Sequence, residues 1–91
     1  METSIRKSLK AQAHHLKPII LIGAKGLTEA VVAETNNALL THELIKVKIN
    51  GTEKEDRIAM THDLCLQLQA ELVQVIGNTA ILYRKNEEKL K

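Results

Sequence analysis

Apolar and polar positions divide the chain into seven blocks. Ile5, Leu9, Ala13 and Leu16 recur at helical spacing, with Arg6, Lys7 and Lys10 on the other face. This predicts a helix over 4–16 with Ser4 as its N-cap. Pro18 prevents continuation, because the residue before a proline is pushed out of the helical region. Ile19 to Ile22 is an unbroken apolar run, too short for a helix, and reads as a strand covered on both faces. Helical spacing resumes after Gly23-Ala24-Lys25-Gly26. Val31, Thr35, Ala38 and Leu39 form a stripe that Val32 and Leu40 widen, on a helix capped by Thr28 and running to about His42. Residues 44–49 alternate: Ile45, Val47 and Ile49 share one face, and Lys46, Lys48 and Leu44 the other, as in a half-buried strand. Asn50-Gly51 breaks it. Thr52-Glu53-Lys54-Glu55 fits a capping box with Thr52 as cap. The helix it opens runs to about Ala70 and buries Ile58, Thr61, Leu64, Cys65 and Leu68. Two more strands, Leu72 to Ile76 and Ala80 to Arg84, flank the hairpin signal Gly77-Asn78. From Lys85 the tail is nearly all charge and is expected to fray.

The order is α-β-α-β-α-β-β. Two strand–helix–strand units imply parallel neighbours with right-handed crossovers, and the hairpin adds an antiparallel strand. The expected fold is α/β: a two-layer sandwich of three helices and a four-stranded mixed sheet, one domain over 1–91 with a charged tail from about 85.

Composition narrows the function. A chain of 91 residues supports a modest core, burying roughly 60–65% of the unfolded surface. Tyr83 is the only aromatic residue, which excludes a platform of several stacked aromatics for gripping unpaired bases. A net charge of +2 says little about a polyanionic partner, so the placing of the lysines matters more. One cysteine forms no internal disulfide, and no apolar run approaches the ~20 residues of a membrane span. A cytoplasmic protein is the default expectation.

Catalytic chemistry finds no team. Cys65 lies on an apolar helical stripe and reads as a buried, inert thiol. His62, three residues away, reads as solvated. His14, His15, His42 and His62 match no metal-ligand spacing, and His42-Glu43 at a helix end is explained by capping. The carboxylates are scattered over helix faces. No enzyme activity, metal or cofactor is expected.

The sharper feature is the sequence Gly23-Ala24-Lys25-Gly26 between a strand and a helix start. Glycines let the backbone turn and approach a ligand, the helix presents free N–H groups, and Lys25 adds positive charge. These suit a phosphate, although the four residues alone also fit a plain turn. Lys17 enters the strand before the loop, Lys46 and Lys48 share a strand face, and Arg84 ends the last strand. Each alone fits a solvated surface; with the loop and Thr28 they point to phosphate contact, giving affinity with little sequence discrimination.

The run from Lys17 through Gly23-Ala-Lys-Gly26 to Leu27-Thr-Glu, then His42-Glu-Leu-Ile-Lys-Val-Lys-Ile49, Val73-Gln-Val-Ile-Gly77 and Ile81-Leu-Tyr-Arg84, closely resembles the bacterial YhbY-like proteins. These are stand-alone forms of the CRM domain, named for chloroplast RNA splicing and ribosome maturation. The resemblance implies an RNA-binding domain whose fold is similar to the C-terminal domain of translation initiation factor three. It also implies ribosomal RNA in precursors of the large subunit as the partner. The family's G-x-x-G loop falls on Gly23, Ala24, Lys25 and Gly26, and its basic surface on Lys17, Lys46, Lys48 and Arg84. Many relatives carry a proline soon after the Tyr-Arg pair, where this chain has Lys85-Asn86. The alternative is a protein-interaction module that docks on a ribosomal protein, with the lysines only solubilising it.

Overall fold

The computed structural model describes residues 2–86. Seven elements follow in the expected order: α1 (Thr3–Ala13), β1 (Pro18–Ile22), α2 (Glu29–His42), β2 (Leu44–Ile49), α3 (Lys54–Leu68), β3 (Glu71–Ile76) and β4 (Thr79–Tyr83). They build the expected α/β fold, with a four-stranded mixed sheet. Strand order is β1-β2-β4-β3. β1 and β2 are parallel, and β4 runs antiparallel to both its neighbours. β2 and β3 are therefore not neighbours, as two simple strand–helix–strand units would make them. The hairpin turns inward, so that its more apolar strand lies inside the sheet. Ala80, Ile81 and Leu82 of β4 are all buried, whereas β3 carries Glu71, Gln74 and the exposed Ile76 at an edge. Gly77, at φ +58°, supplies the positive φ that the first residue of such a tight turn requires.

The sheet's two faces are covered unequally. α2 and α3 pack on one face, where Ile20, Ile22, Ile45, Val47, Ile49 and Leu82 meet Leu39, Leu64 and Leu68. This is the larger of two cores. α1 lies on the other face and covers part of it, burying Leu9 and Ala13 against Val73 and Ile81, with Leu44 and Tyr83 at the margin. Its Arg6 guanidinium donates to the carbonyls of Leu72 and Val73 at 2.9 and 2.7 Å. The β3 register shifts between Leu72 and Gln74, and Arg6 occupies carbonyls at that bulge.

Five local expectations need correction. β1 is an edge strand covered on one face only: Ile20 and Ile22 are buried, but Ile19 and Leu21 are exposed. The N-cap of α1 is Glu2, which places Ser4 inside the helix, where its hydroxyl donates to Glu2 Oε1. That helix stops at Ala13, so Leu16 follows it in the loop and Ile5 is exposed. The capping box before α3 does not form. Glu53 is the N-cap, and the Thr52 hydroxyl, one residue too early, is buried without a partner. Ile58 of α3 is half-buried, while Thr61, Leu64, Cys65 and Leu68 are buried as their spacing requires.

Asn86 is tied down rather than frayed. Its backbone N–H donates to Glu43 Oε2 at 2.7 Å and its side-chain amide to the Leu40 carbonyl at 2.6 Å. Residues 87–91 of the tail lie outside the described residues. Glu43 turns α2 directly into β2 at φ +64°, a conformation that L-residues rarely adopt. Its N–H reaches the Leu39 carbonyl and its own carbonyl accepts from Arg84 N, so contacts on both sides hold the strained turn.

Candidate functional site

Three turns meet at the sheet end where β1 and β2 terminate, the side on which open α/β sheets place their ligands. The first is Gly23–Gly26. Gly26 N–H donates back to the Gly23 carbonyl at 3.0 Å, closing a tight turn, and Gly26 sits at φ +72°. Thr28 N–H then reaches the Gly26 carbonyl at 3.1 Å, and the Thr28 hydroxyl accepts from Val31 N–H at 3.2 Å. Thr28 is the expected N-cap of α2, so its hydroxyl is occupied in shaping the helix start. The first-turn N–H groups of Glu29 and Ala30 face the helix entrance. Ala24 and Lys25 are exposed at the tip.

The second turn, Asn50 to Glu53, braces the first. Asn50 N–H donates to the Ile22 carbonyl at 2.9 Å. Gly51, at φ +77°, lies against Ala24, where an added Cβ would meet the Ala24 backbone at 3.6 Å. Met60 supports Gly26 from α3, since a Cβ there would lie 3.6 Å from the Met60 methyl. The third turn is the β3–β4 hairpin. Asn78 donates from its side-chain amide to Asn50 Oδ1 at 3.1 Å and accepts Ile49 N–H at its carbonyl at 2.7 Å. The glycine loop is thus held by Gly51, Asn50, Asn78 and Met60, none of which the sequence alone places beside it. Asn50-Gly51 and Gly77-Asn78 were readable as turns, but nothing in their spacing revealed that they touch. Arg57 was missed as well: its guanidinium lies under the second turn, donating to the Thr52 carbonyl at 3.2 Å, while its Nε is buried without a partner.

The basic residues divide into two groups. Lys46 and Lys48 point from β2 to the sheet face that α1 leaves partly open; Ile45, Val47 and Ile49 point the other way into the core. Parallel pairing sets Lys46 opposite Pro18, next to Lys17, and sets Lys48 opposite Leu21, two residues before the glycine loop. Lys17, Lys48 and Lys25 are exposed and Lys46 is half-exposed. The structure thus gathers Lys17, Lys46 and Lys48 on one surface leading to Gly23, Ala24, Lys25 and Gly26.

Arg84 lies apart from them. Its guanidinium donates to Asn36 Oδ1 and to the Leu68 carbonyl, both at 2.9 Å, and to the Asn36 carbonyl at 3.3 Å. It points to the α2–α3 side of the sheet and links the end of α3 to α2. Its physical role is structural, and it is set aside from the lysine surface.

Cys65 is buried, and its thiol is pushed up to about 11, first by burial and then by repulsion from Glu71. Such a thiol is a poor nucleophile near neutral pH. Among the described residues no three His, Cys, Asp or Glu side chains converge as a metal site would need. Among the same residues, no helix is long and apolar enough to cross a membrane.

An α/β domain with a braced glycine loop at the sheet end and a lysine-bearing open sheet face is the class defined so far. Comparison with known proteins gives the family. Residues 1–84 match the CRS1 / YhbY (CRM) domain, and the chain belongs to that family. It is 49% identical over 81 residues to a protein of Pseudomonas aeruginosa named "Probable RNA-binding protein", covering 89% of this chain and 78% of the relative. It is 43% identical over 88 residues to an "RNA-binding protein" of Haemophilus influenzae, covering 97% and 89% of the two chains. Among solved structures, a hypothetical protein from Staphylococcus aureus superposes with a TM-score of 0.83 at 30% identity, covering 93% of this chain and 88% of the other.

Proposed function

We propose that this chain is a non-enzymatic RNA-binding protein that contacts structured ribosomal RNA during assembly of the large ribosomal subunit, in the cytoplasm. RNA binding is supported by membership of the CRM family and by the names of relatives at 43–49% identity. The ribosomal target rests on the resemblance to the YhbY-like proteins. The observation that carries the contact surface is the register of β1 on β2, which sets Lys46 and Lys48 beside the strand that ends in the glycine loop. In this reading, phosphates sit on the loop N–H groups, the entrance of α2 and the amines of Lys17, Lys25, Lys46 and Lys48. Thr28 and Gly26 shape the loop, and Gly51 and Asn50 brace it.

Glu29, in the first turn of α2, sits beside that phosphate position. Each contact at the helix entrance is worth only about 0.3–1 kcal/mol, so several lysines must act together. The test is fluorescence anisotropy with a structured fragment of large-subunit ribosomal RNA. Lys25→Ala should weaken binding about three- to fivefold, the loss of one such contact, with the thermal midpoint nearly unchanged because the side chain is exposed. Lys46→Ala combined with Lys48→Ala should weaken it further. Wild-type affinity in both variants would remove this surface from the contact.

A further inference from the structure

The open half of the second sheet face is unusual in what it exposes. Two rows of side chains cross it. At the loop end, register places Leu21, Lys48, Thr79 and Ile76 side by side on β1, β2, β4 and β3. The next row runs from Pro18, with Ile19 beside it at the bulge, through Lys46 to Ile81, which α1 already buries, and on to Gln74. Leu21 is 60% exposed, Ile76 58% and Ile19 47%. Neither row contains a carboxylate. α1 covers only the far end of the face, around Val73, Ile81, Leu44 and Tyr83. Large aliphatic side chains thus flank two lysines on a surface continuous with the glycine loop. A shallow depression lies on each side of the lysine pair, one beside Thr79 and Ile76 and the other along β1.

We infer that this open face seats an unpaired stretch of RNA, extending the contact beyond the phosphate grip at the loop; the inference rests on the RNA-binding reading above. Three observations select this occupant. Lys46 and Lys48 stand two residues apart on one strand face, about 6.7 Å, close to the separation of consecutive phosphates along a single strand. Leu21 and Ile76 lie about 14 Å apart across three strand spacings, with Lys48 and Thr79 between them, so exposed aliphatic side chains stand on both sides of the lysine track, where sugars and bases beside the phosphates would lie. The absence of carboxylates from both rows removes like-charge repulsion toward a polyanion. With no aromatic residue on these rows, Leu21, Ile19 and Ile76 would pack against ribose and base faces without stacking. The face would therefore favour unpaired over paired RNA while discriminating little among bases.

The test uses the full chain and two RNA probes sharing one duplex, one blunt and one with an eight-nucleotide single-stranded extension. Leu21→Ser combined with Ile76→Ser removes side chains that are more exposed than buried, and the fold is first checked by its thermal midpoint. A second pair, Leu21→Thr with Ile76→Thr, places β-branched side chains suited to strands at both positions in case the serines unfold the edges. The expected result is roughly tenfold or greater loss of affinity for the extended probe, little change for the blunt one, and an unchanged salt slope. Lys25→Ala should instead weaken both probes. If Lys25→Ala binds both normally while the sheet variants lose only the extended probe, the loop reading fails and this inference stands. Equal affinity of wild type and sheet variants for the extended probe overturns the inference. If that equality comes with loss of self-association in sedimentation, or of binding to nuclease-treated large-subunit proteins, the face belongs to a second copy or to a protein.

Discussion

Arg84 shows how one charge can serve the fold. The carbonyl of Leu68 is among the last of α3 and has no partner within its own helix, and the guanidinium satisfies it while also holding Asn36 of α2. A cation also suits the negative end of a helix. Removing the group leaves a half-buried carbonyl and an amide oxygen without their donor. Arg84→Ala should therefore lower unfolding stability by about 1.5–3 kcal/mol in urea titration, the range for a hydrogen bond to a charged group. RNA affinity of the folded variant should stay at the wild-type level, the reverse of Lys25→Ala. Cys65 gives a second residue-scale prediction. Its thiolate is disfavoured in the fold, so its folded value of about 11 lies above the ordinary 9.0. Below pH 9 both states keep the proton and the group contributes no slope. Between 9 and 11 the unfolded chain loses its proton first, so stability falls as pH rises, and above 11 the loss levels off. Cys65→Ala should remove this part of the alkaline decline when urea midpoints are compared from pH 8 to 11.

At the scale of elements, the start of α2 carries the most information. Thr28 caps it as its position before a helical stripe predicts, and Thr28→Ala should cost about 1 kcal/mol in thermal or urea unfolding. Because the same residue fixes the loop exit, a loss of RNA affinity should accompany the loss of stability. The strands show where a sequence can be read and where it cannot. An unbroken apolar run means cover on both faces, and β4 obeys: Ala80, Ile81 and Leu82 lie between the two helical layers. β1 has the same signature and breaks the rule, because it is an edge strand beyond the reach of α1. Burial thus accounts for only half of its side chains, and Ile19 and Leu21 need another reason to be apolar. A local rule that fails at one element while its neighbours follow it is a place to look for function. The failed capping box before α3 is a smaller case. Thr52 and Glu55 have the right spacing, but the turn braced by Gly51 delays the helix by one residue. The identity of Arg84 as a clamp was equally hidden, since its partners Asn36 and Leu68 are distant in sequence.

At the scale of the whole molecule, periodicity reports which face of a strand is buried but not which strand lies beside it. The insertion of β4 between β2 and β3 was therefore out of reach, although the mixed sheet and the element order were not. The same limit applies to charge. A net of +2 is too small to steer RNA by itself, yet the fold gathers Lys17, Lys46 and Lys48 on one surface running to Lys25, while Arg84 and Arg6 are occupied with backbone carbonyls. Four lysines then remain for phosphates. Each neutralised phosphate releases counterions, which sets the slope of log affinity against log salt at about −0.7 per contact for a single strand and −0.9 for a duplex. Four contacts give a slope of roughly −3 to −4. A titration from 50 to 300 mM salt should show it, and Lys46→Ala with Lys48→Ala should lower its magnitude by about 1.4–1.8. Arg84→Ala should leave it unchanged, because that charge faces the helices. A slope near zero would mean that the lysines only solvate the surface, and binding would then have to come from the aliphatic positions beside them.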